Sequence, residues 1–310
     1  MAIYVIGGAN IDLFAKSYNP LIKNDSNPAK MELGFGGVGR NIAENLAHLS
    51  EEVEFISIFS KDYFGEILVR DCEEKGLKLN YSIFKDDLKS SMYLAILDHE
   101  NDLYLGLSDM RIIESLNKDD IKELKEVIKA DDYLIIDTNI SLEMLDYITS
   151  EFKGIKVSDA ISVNKVYKLK NHLNDIDIIK INLIEAQALA DMELKDQSSI
   201  KKALLSFDEK GAKDVIITTK EGAYLLRDHK TYYYVHNNYQ KDLKNATGAG
   251  DSFLAAYIHA RKVNMSVDDC LGYGLATAIL TISSDKTVAD IDLDKVLTKK
   301  NELNIEGGEI

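Results

Sequence analysis

The sequence has no tryptophan, only two prolines and only two cysteines in 310 residues. Cys72 and Cys270 cannot build a disulfide framework. Neither has a Cys or His neighbour at metal-ligand spacing, which argues against a zinc site. They are expected to be small buried hydrophobes in a reducing compartment. Basic charge is also scarce: 37 Lys and Arg stand against 52 Asp and Glu, a net charge of −15. A protein that coats a nucleic acid polymer needs a basic face to neutralise phosphates, and this balance argues against one. A small nucleotide ligand stays open, because a few local groups can hold it. No apolar run approaches the ~20 residues of a bilayer span. The start, Met1-Ala2-Ile3-Tyr4-Val5-Ile6, lacks the basic flank and long apolar core of a secretion signal. The expectation is a soluble, cytoplasmic protein with no membrane partner.

What is present is enough apolar material for a large core, 45% of the residues. Short apolar runs alternate with amphipathic segments, the pattern of an α/β fold with a largely parallel sheet covered by helices. Expected buried strands are Ile3–Ile6, Val53–Ile58, Tyr133–Asp137, Ile155–Val157, Ile176–Ile181 and Val215–Thr218. Expected helices are Gly39–Leu49, Phe64–Lys75, Lys118–Ile128, Ser141–Ser150, Leu183–Ala190, Ser199–Lys210, Ala249–Lys262 and Val267–Ile282, with Gly76 and Gly211 as helix stops. The end, Glu306-Gly307-Gly308-Glu309-Ile310, reads as a frayed tail. Four segments do not fit the alternation: Asp12–Ser17, Lys30–Phe35, Met92–Leu97 and Leu103–Leu107. The last two flank the turn residues Asp98-His99-Glu100-Asn101-Asp102, a hairpin signal. The four are expected to form a small separate sheet, a lid inserted in one domain spanning the chain.

The sharpest motif is Asn245-Ala246-Thr247-Gly248-Ala249-Gly250-Asp251, opening an apolar-periodic helix. Small residues let the backbone approach an anion, and the helix start turns free N–H groups and its positive dipole end toward it. Asp251 reads either as a helix-start acid or as a base beside an anion hole. Asn10 and Asp12 alternate on an extended segment and share a face, which suits sugar hydroxyls or a polar turn. The cluster Gly34-Phe35-Gly36-Gly37-Val38-Gly39-Arg40-Asn41 opens a helix, with Asn41 in the first turn, where its amide could reach a ligand or cap the backbone. Asn182-Leu183-Ile184-Glu185 follows a strand, the place where open α/β folds put ligands. It fits a capping box or water-mediated Mg²⁺ and phosphate positioning. Val215 to Gly222, including Thr218, ends another strand and could border a nucleotide. Tyr232-Tyr233-Tyr234 reads as an amphipathic strand, with base stacking as the alternative.

These motifs, in this order, resemble those of the ribokinase-like carbohydrate kinases, the PfkB family, over roughly Ile3 to Leu297. The form of Gly36 to Ala47, together with Asp25-Ser26-Asn27-Pro28 and Ser108-Asp109-Met110, is most similar to the family's pseudouridine kinases. The resemblance implies the three-layer ribokinase-like fold and ATP-dependent phosphorylation of a 5′-hydroxyl on a ribose-containing acceptor. Asp251 would be the catalytic base and Gly248, Ala249 and Gly250 the anion hole. Asn10, Asp12, Gly37 and Asn41 would hold the ribose, and Asp109 would read the base or cap its own turn. Asn182, Glu185, Thr218, Gly222 and Thr247 would serve ATP and its phosphates, with Glu185 meeting Mg²⁺ through water. Asn245 stands where many relatives have an Asp tied to a monovalent-cation site, which leaves K⁺ dependence open. Thr219 replaces a common Gly and Ile181 a common Pro. Rival readings are a ribokinase, a kinase of another nucleoside or sugar, and a non-catalytic nucleotide sensor. A homodimer through the lid is expected, because Met92–Leu97 is apolar at successive positions and both its faces want cover.

Overall fold

A computed structural model describes residues 1–237 and 247–310. Its central sheet has nine strands in the spatial order 304–309, 230–237, 222–227, 214–218, 178–182, 155–159, 133–137, 3–6 and 53–56. The six strands from 214–218 to 53–56 are parallel, and the remaining pairings are antiparallel. The parallel strands read as nearly continuous apolar runs because both their faces are covered. Within Ile3–Ile6 the alternation divides the core. Ile3 and Val5 pack in one layer with the helices Val38–His48, Ala249–Lys262 and Val267–Ile282. Tyr4 and Ile6 pack in the other with Leu142–Glu151, Leu183–Ala190 and Gln197–Asp208. The result is the three-layer α/β architecture expected from the alternation.

The four segments that broke the alternation pair with one another. They form a separate sheet in the order Ala29–Gly36, Asn10–Ser17, Met92–Leu97, Leu103–Asp109. The hairpin turn is fixed by Asp98, whose Oδ1 accepts from the N–H groups of Glu100 and Asp102, both at 2.9 Å. One chain passage, Gly7 to Ala9, joins the central strand Ile3–Ile6 to the small sheet.

Several expectations are corrected. The tail is not frayed: Asn304–Glu309 is an edge strand paired with Lys230–Asn237, and Ile310 N–H donates to the Thr231 carbonyl at 2.9 Å. The single helix over Lys118–Ile128 is two short ones, Lys118–Ile121 and Leu124–Val127. The helical ladder is interrupted between them by tighter three-residue bonds, Lys125 to Lys122 and Glu126 to Glu123. The run Val53–Ile58 divides at Ser57, and Ile58–Ser60 leaves the central sheet to pair with Ile83–Lys85. The strand Gly222–Arg227 and the helix Leu293–Glu302 are additions to the expected elements. Gly76 and Gly211 do end helices, at φ +77° and +84°. Tyr232 to Tyr234 do lie on a strand. Among the described residues no helix is long and apolar enough to cross a membrane.

Candidate active site

The parallel strands stop in register. Asp137 pairs with Asp159, Asp159 with Lys180, and Asn182 with Thr218. Polar side chains therefore collect along one edge of the sheet, where the chain turns into helices and loops. A cleft of about 500 Å³ opens there, closed on one side by Asn10, Asp12 and Tyr93 of the small sheet.

Asp251 sits in the first turn of Ala249–Lys262 and lines this cleft, as do Gly248 and Gly250. Gly248 adopts φ +83° and contributes no side-chain cap, so the backbone itself makes the helix start. A Cβ at Gly248 would lie 2.0 Å from the Thr287 carbonyl oxygen, and one at Gly250 would lie 2.3 Å from the Lys180 ammonium nitrogen. The glycines let a helix N-terminus and a lysine close in on the same space. Asp251 accepts a hydrogen bond from Asn41 Nδ2 at 2.9 Å. Burial pushes its carboxyl up to about 7, aided by the Asp159 charge and opposed by Lys180 and the Asn41 amide. Lys180 is paired with Asp159 at 2.8 Å. Burial pulls its pKa down, but the carboxylates of Asp159, Asp251 and Glu185 outweigh that and leave it raised.

Asn10 and Asp12 do share a face, and Asn10 Nδ2 donates to the Asp12 carboxylate. Burial raises Asp12 to about 6 against that bond and the Arg40 charge. Gly37 has φ +102°, and a Cβ there would lie 2.3 Å from the Gly8 carbonyl oxygen. Nearby, the buried Asp137 carboxylate accepts from the N–H groups of Gly8 (2.8 Å), Gly39 (2.9 Å) and Asn139 (2.9 Å). One carboxylate thereby pins both glycine turns to the end of a central strand.

Asn182 and Glu185 make the capping box and also face the cleft. The Asn182 N–H and Nδ2 hold the two Glu185 oxygens, each at 2.8 Å. Burial raises the Glu185 pKa against the Asn182 N–H and Lys180. A carboxylate so fixed keeps outward lone pairs for a water on a hydrated cation. The Glu185 donors are hard oxygens, which fit Mg²⁺ rather than a soft metal.

Thr218 and Thr247 line the cleft; Asn245 and Ala246 lie outside the described residues. Three expected site residues do not line it. Ala249 is in the helix start but is not among the residues that line the cleft. Gly222 is buried in a tight turn in which the Thr219 hydroxyl accepts the Gly222 N–H at 3.1 Å. Asp109 borders a neighbouring cavity of about 450 Å³ with Ser108, Met110, Arg111, Glu114 and Lys165. Its carboxylate takes the Arg111 guanidinium at 2.6 and 2.9 Å and caps the Arg111 N–H at 3.2 Å.

Sequence reasoning missed Tyr93, Asn139, Asp159, Lys165, Lys180 and Thr287, all lining the cleft. Lys180 carried a signal, a charge inside the apolar run Ile178-Ile179-Lys180-Ile181. Chemically, the arrangement offers a carboxylate titrating near neutrality, set beside a helix N-terminus and an ammonium. That suits taking a proton from a hydroxyl while an anionic group is held next to it.

Three comparisons bear on this geometry. The profile of the pfkB family carbohydrate kinases matches residues 2–293. The chain is 26% identical to the pseudouridine kinase of Escherichia coli over 286 residues, covering 92% of this chain and 91% of that one. It is also 26% identical to the guanosine-inosine kinase of Exiguobacterium acetylicum over 288 residues, covering 91% and 94%. A carbohydrate kinase from Agrobacterium tumefaciens has the same fold, with a TM-score of 0.84 at 26% identity, covering 99% of this chain and 100% of that one.

Proposed function

Because the chain belongs to the pfkB family of carbohydrate kinases, we propose that it transfers the γ-phosphoryl group of ATP to the 5′-hydroxyl of pseudouridine. The products are ADP and pseudouridine 5′-phosphate. The observation that carries the phosphoryl-transfer reading is Asp251 in the cleft beside Gly248, Gly250 and Lys180. The base takes the hydroxyl proton as the oxygen attacks the γ-phosphorus, and the bond to the ADP oxygen breaks. Phosphoryl transfer needs mainly positioning and charge stabilisation. The N–H groups of Ala249 and Gly250 and the Lys180 ammonium would meet the negative charge that the transferring group carries. Mg²⁺ would neutralise phosphate charge from the Glu185 side through water, with Asn182 fixing that carboxylate. ATP lies toward Thr218, Thr247 and Thr287, and the ribose toward Asn10, Asp12, Gly37 and Asn41.

The choice of pseudouridine is supported by the likeness to the Escherichia coli enzyme and by the motif forms around Gly36–Ala47. The equal identity to a guanosine-inosine kinase favours a second reading, a kinase of another nucleoside. The small sheet acts as the lid, and its outer face is the dimer contact. Met31, Leu33, Leu105 and Leu107 share that face by register and are exposed. Release of ADP from Mg²⁺-ATP with pseudouridine, uridine, guanosine, inosine and ribose tests the reading. A kcat/KM highest for pseudouridine is expected, and one highest for guanosine or inosine overturns the acceptor assignment.

A further inference from the structure

Arg40 is buried, charged and outside the cleft. Its Nε and Nη2 reach the Asp71 carboxylate, with Nε at 3.0 Å, and its Nη2 lies 2.9 Å from Glu44 Oε2. Its guanidinium lies 5.7 Å from the centre of the Phe35 ring. Two groups remain for Nη1: the Phe35 carbonyl at 3.4 Å and Asn41 Oδ1 at 3.3 Å. The other end of the same amide, Asn41 Nδ2, donates to Asp251 at 2.9 Å.

A guanidinium has donors only, and an ionised carboxylate accepts only. An amide between them has one satisfying orientation, oxygen toward Arg40 and nitrogen toward Asp251. The flipped amide would set N–H against a cation and oxygen against an anion. We propose that Arg40 is a positioning residue for the reaction, locking the Asn41 amide so that it donates to the Asp251 carboxylate. The proposal rests on the kinase reading for its rate measurements.

A hydrogen bond to the charged form favours ionisation, so the lock keeps Asp251 a usable base against its burial. Asp159 and Asp137, at neighbouring strand ends, and Lys180 on the next strand are the charges that face Asp251. Those facing Arg40 are Asp12 on the small sheet, Glu44 on its own helix and Asp71 with Cys72 on the helix Tyr63–Glu74. Lys75 braces the arrangement from outside at 2.9 Å from Glu44 Oε1. With Arg40 gone the amide is free to turn and offer its oxygen to a protonated Asp251, which favours the neutral acid.

The test is the pH profile of Arg40→Lys, which keeps the charge and loses the fork. The acid limb of kcat/KM is expected to move up by about one pH unit. The rate at neutral pH should fall about fivefold, approach a loss of about tenfold at lower pH and recover at high pH, where Asp251 is ionised either way. In an Asn41→Leu background, Arg40→Lys should move the limb no further. If Arg40→Lys does not fold, Asp71→Asn loosens the guanidinium from its far side and should shift the limb in the same direction by less. An acid limb unmoved in the folded variant overturns the proposal, as does a rate loss equal at every pH. Failure of the kinase reading is separable. If the wild type phosphorylates no hydroxyl, the ¹³C titration of the Asp251 carboxyl, identified by its loss in Asp251→Asn, still answers. A higher midpoint in Arg40→Lys supports the lock, and an unchanged midpoint overturns it.

Discussion

Burial pushes two carboxyls, Asp251 and Asp214, up to about 7. The same strand and the same helix run between them. Asp214 begins the strand that ends at Thr218 in the cleft, and Tyr257 and Arg261 lie farther along the helix that Asp251 opens. Around Asp214 the space is filled. The Tyr257 hydroxyl donates to it at 3.1 Å, and Arg261 and Arg227 approach to 3.5 and 3.8 Å. Around Asp251 there is a cleft, a helix N-terminus and a lysine. A raised carboxyl marks burial in both places. Only the one that opens on space beside N–H donors can meet a substrate, so open geometry separates a base from a structural acid.

Exchanging each acid for its amide is the largest test of that contrast. Asp251→Asn should lower kcat by about 10²–10⁴, the usual value of a general base. Asp214→Asn should leave kcat within about threefold, because the residue lies outside the cleft. Both are read as steady-state ADP release.

Two glycines that face lysines sharpen the contrast at a smaller scale. A Cβ at Gly250 would crowd Lys180 in the cleft, and a Cβ at Gly272 would lie 2.8 Å from Lys300 Cε away from it. Displacing a positioned charge by about 1 Å costs up to about 10² in rate. Gly250→Ala should therefore slow turnover by about 10–100-fold, while Gly272→Ala, whose lysine end can move, should not change it.

Stability against pH treats the two acids alike, which rate does not. Each has an ordinary value of 3.8 and a folded value of about 7. The folded state then holds more protons than the unfolded chain between those values. Their contribution is fully present below about pH 4 and is lost as pH rises through about 7, by at most about 1.4 kcal/mol per pH unit for each group. Melting temperatures of Asp251→Asn and Asp214→Asn should each fall less steeply over this range than the wild type. A slope unchanged in both would contradict the burial account.

The smallest effect on rate is expected at the outer face of the small sheet. Leu105→Glu together with Leu107→Glu should convert the dimer to monomer in light scattering, with kcat changed about twofold or less, since neither lines the cleft. A monomeric wild type at micromolar concentration would remove the dimer from the proposal.

Local signals made much of the fold legible. Apolar runs ending at turns marked the parallel strands, and glycines at φ +77° and +84° marked helix ends. Site residues in glycine-rich turns or at strand ends, such as Asn10, Asp12, Asn41, Glu185 and Asp251, were legible for the same reason. Asp159 and Lys180 were not, because their pairing is a register between strands separated along the chain. Asp109 shows the converse. Its position after a hairpin fits either base contact or a cap on its own turn, and Arg111, two residues on, engages its oxygens through the backbone N–H and the guanidinium. The tail was misread because its glycines hide an edge strand that only pairing with Lys230–Asn237 reveals.

The most direct test of the central claim is one experiment: ADP release with Mg²⁺-ATP and pseudouridine, measured for the wild type, Asp251→Asn and Asp214→Asn from pH 5 to 9. The account predicts that wild-type and Asp214→Asn kcat/KM share an acid limb near pH 7, and that Asp251→Asn lacks this limb and is slower by about 10² or more above it, the gap narrowing as pH falls and the wild-type base protonates. An Asp251→Asn enzyme with the wild-type rate and limb would contradict it.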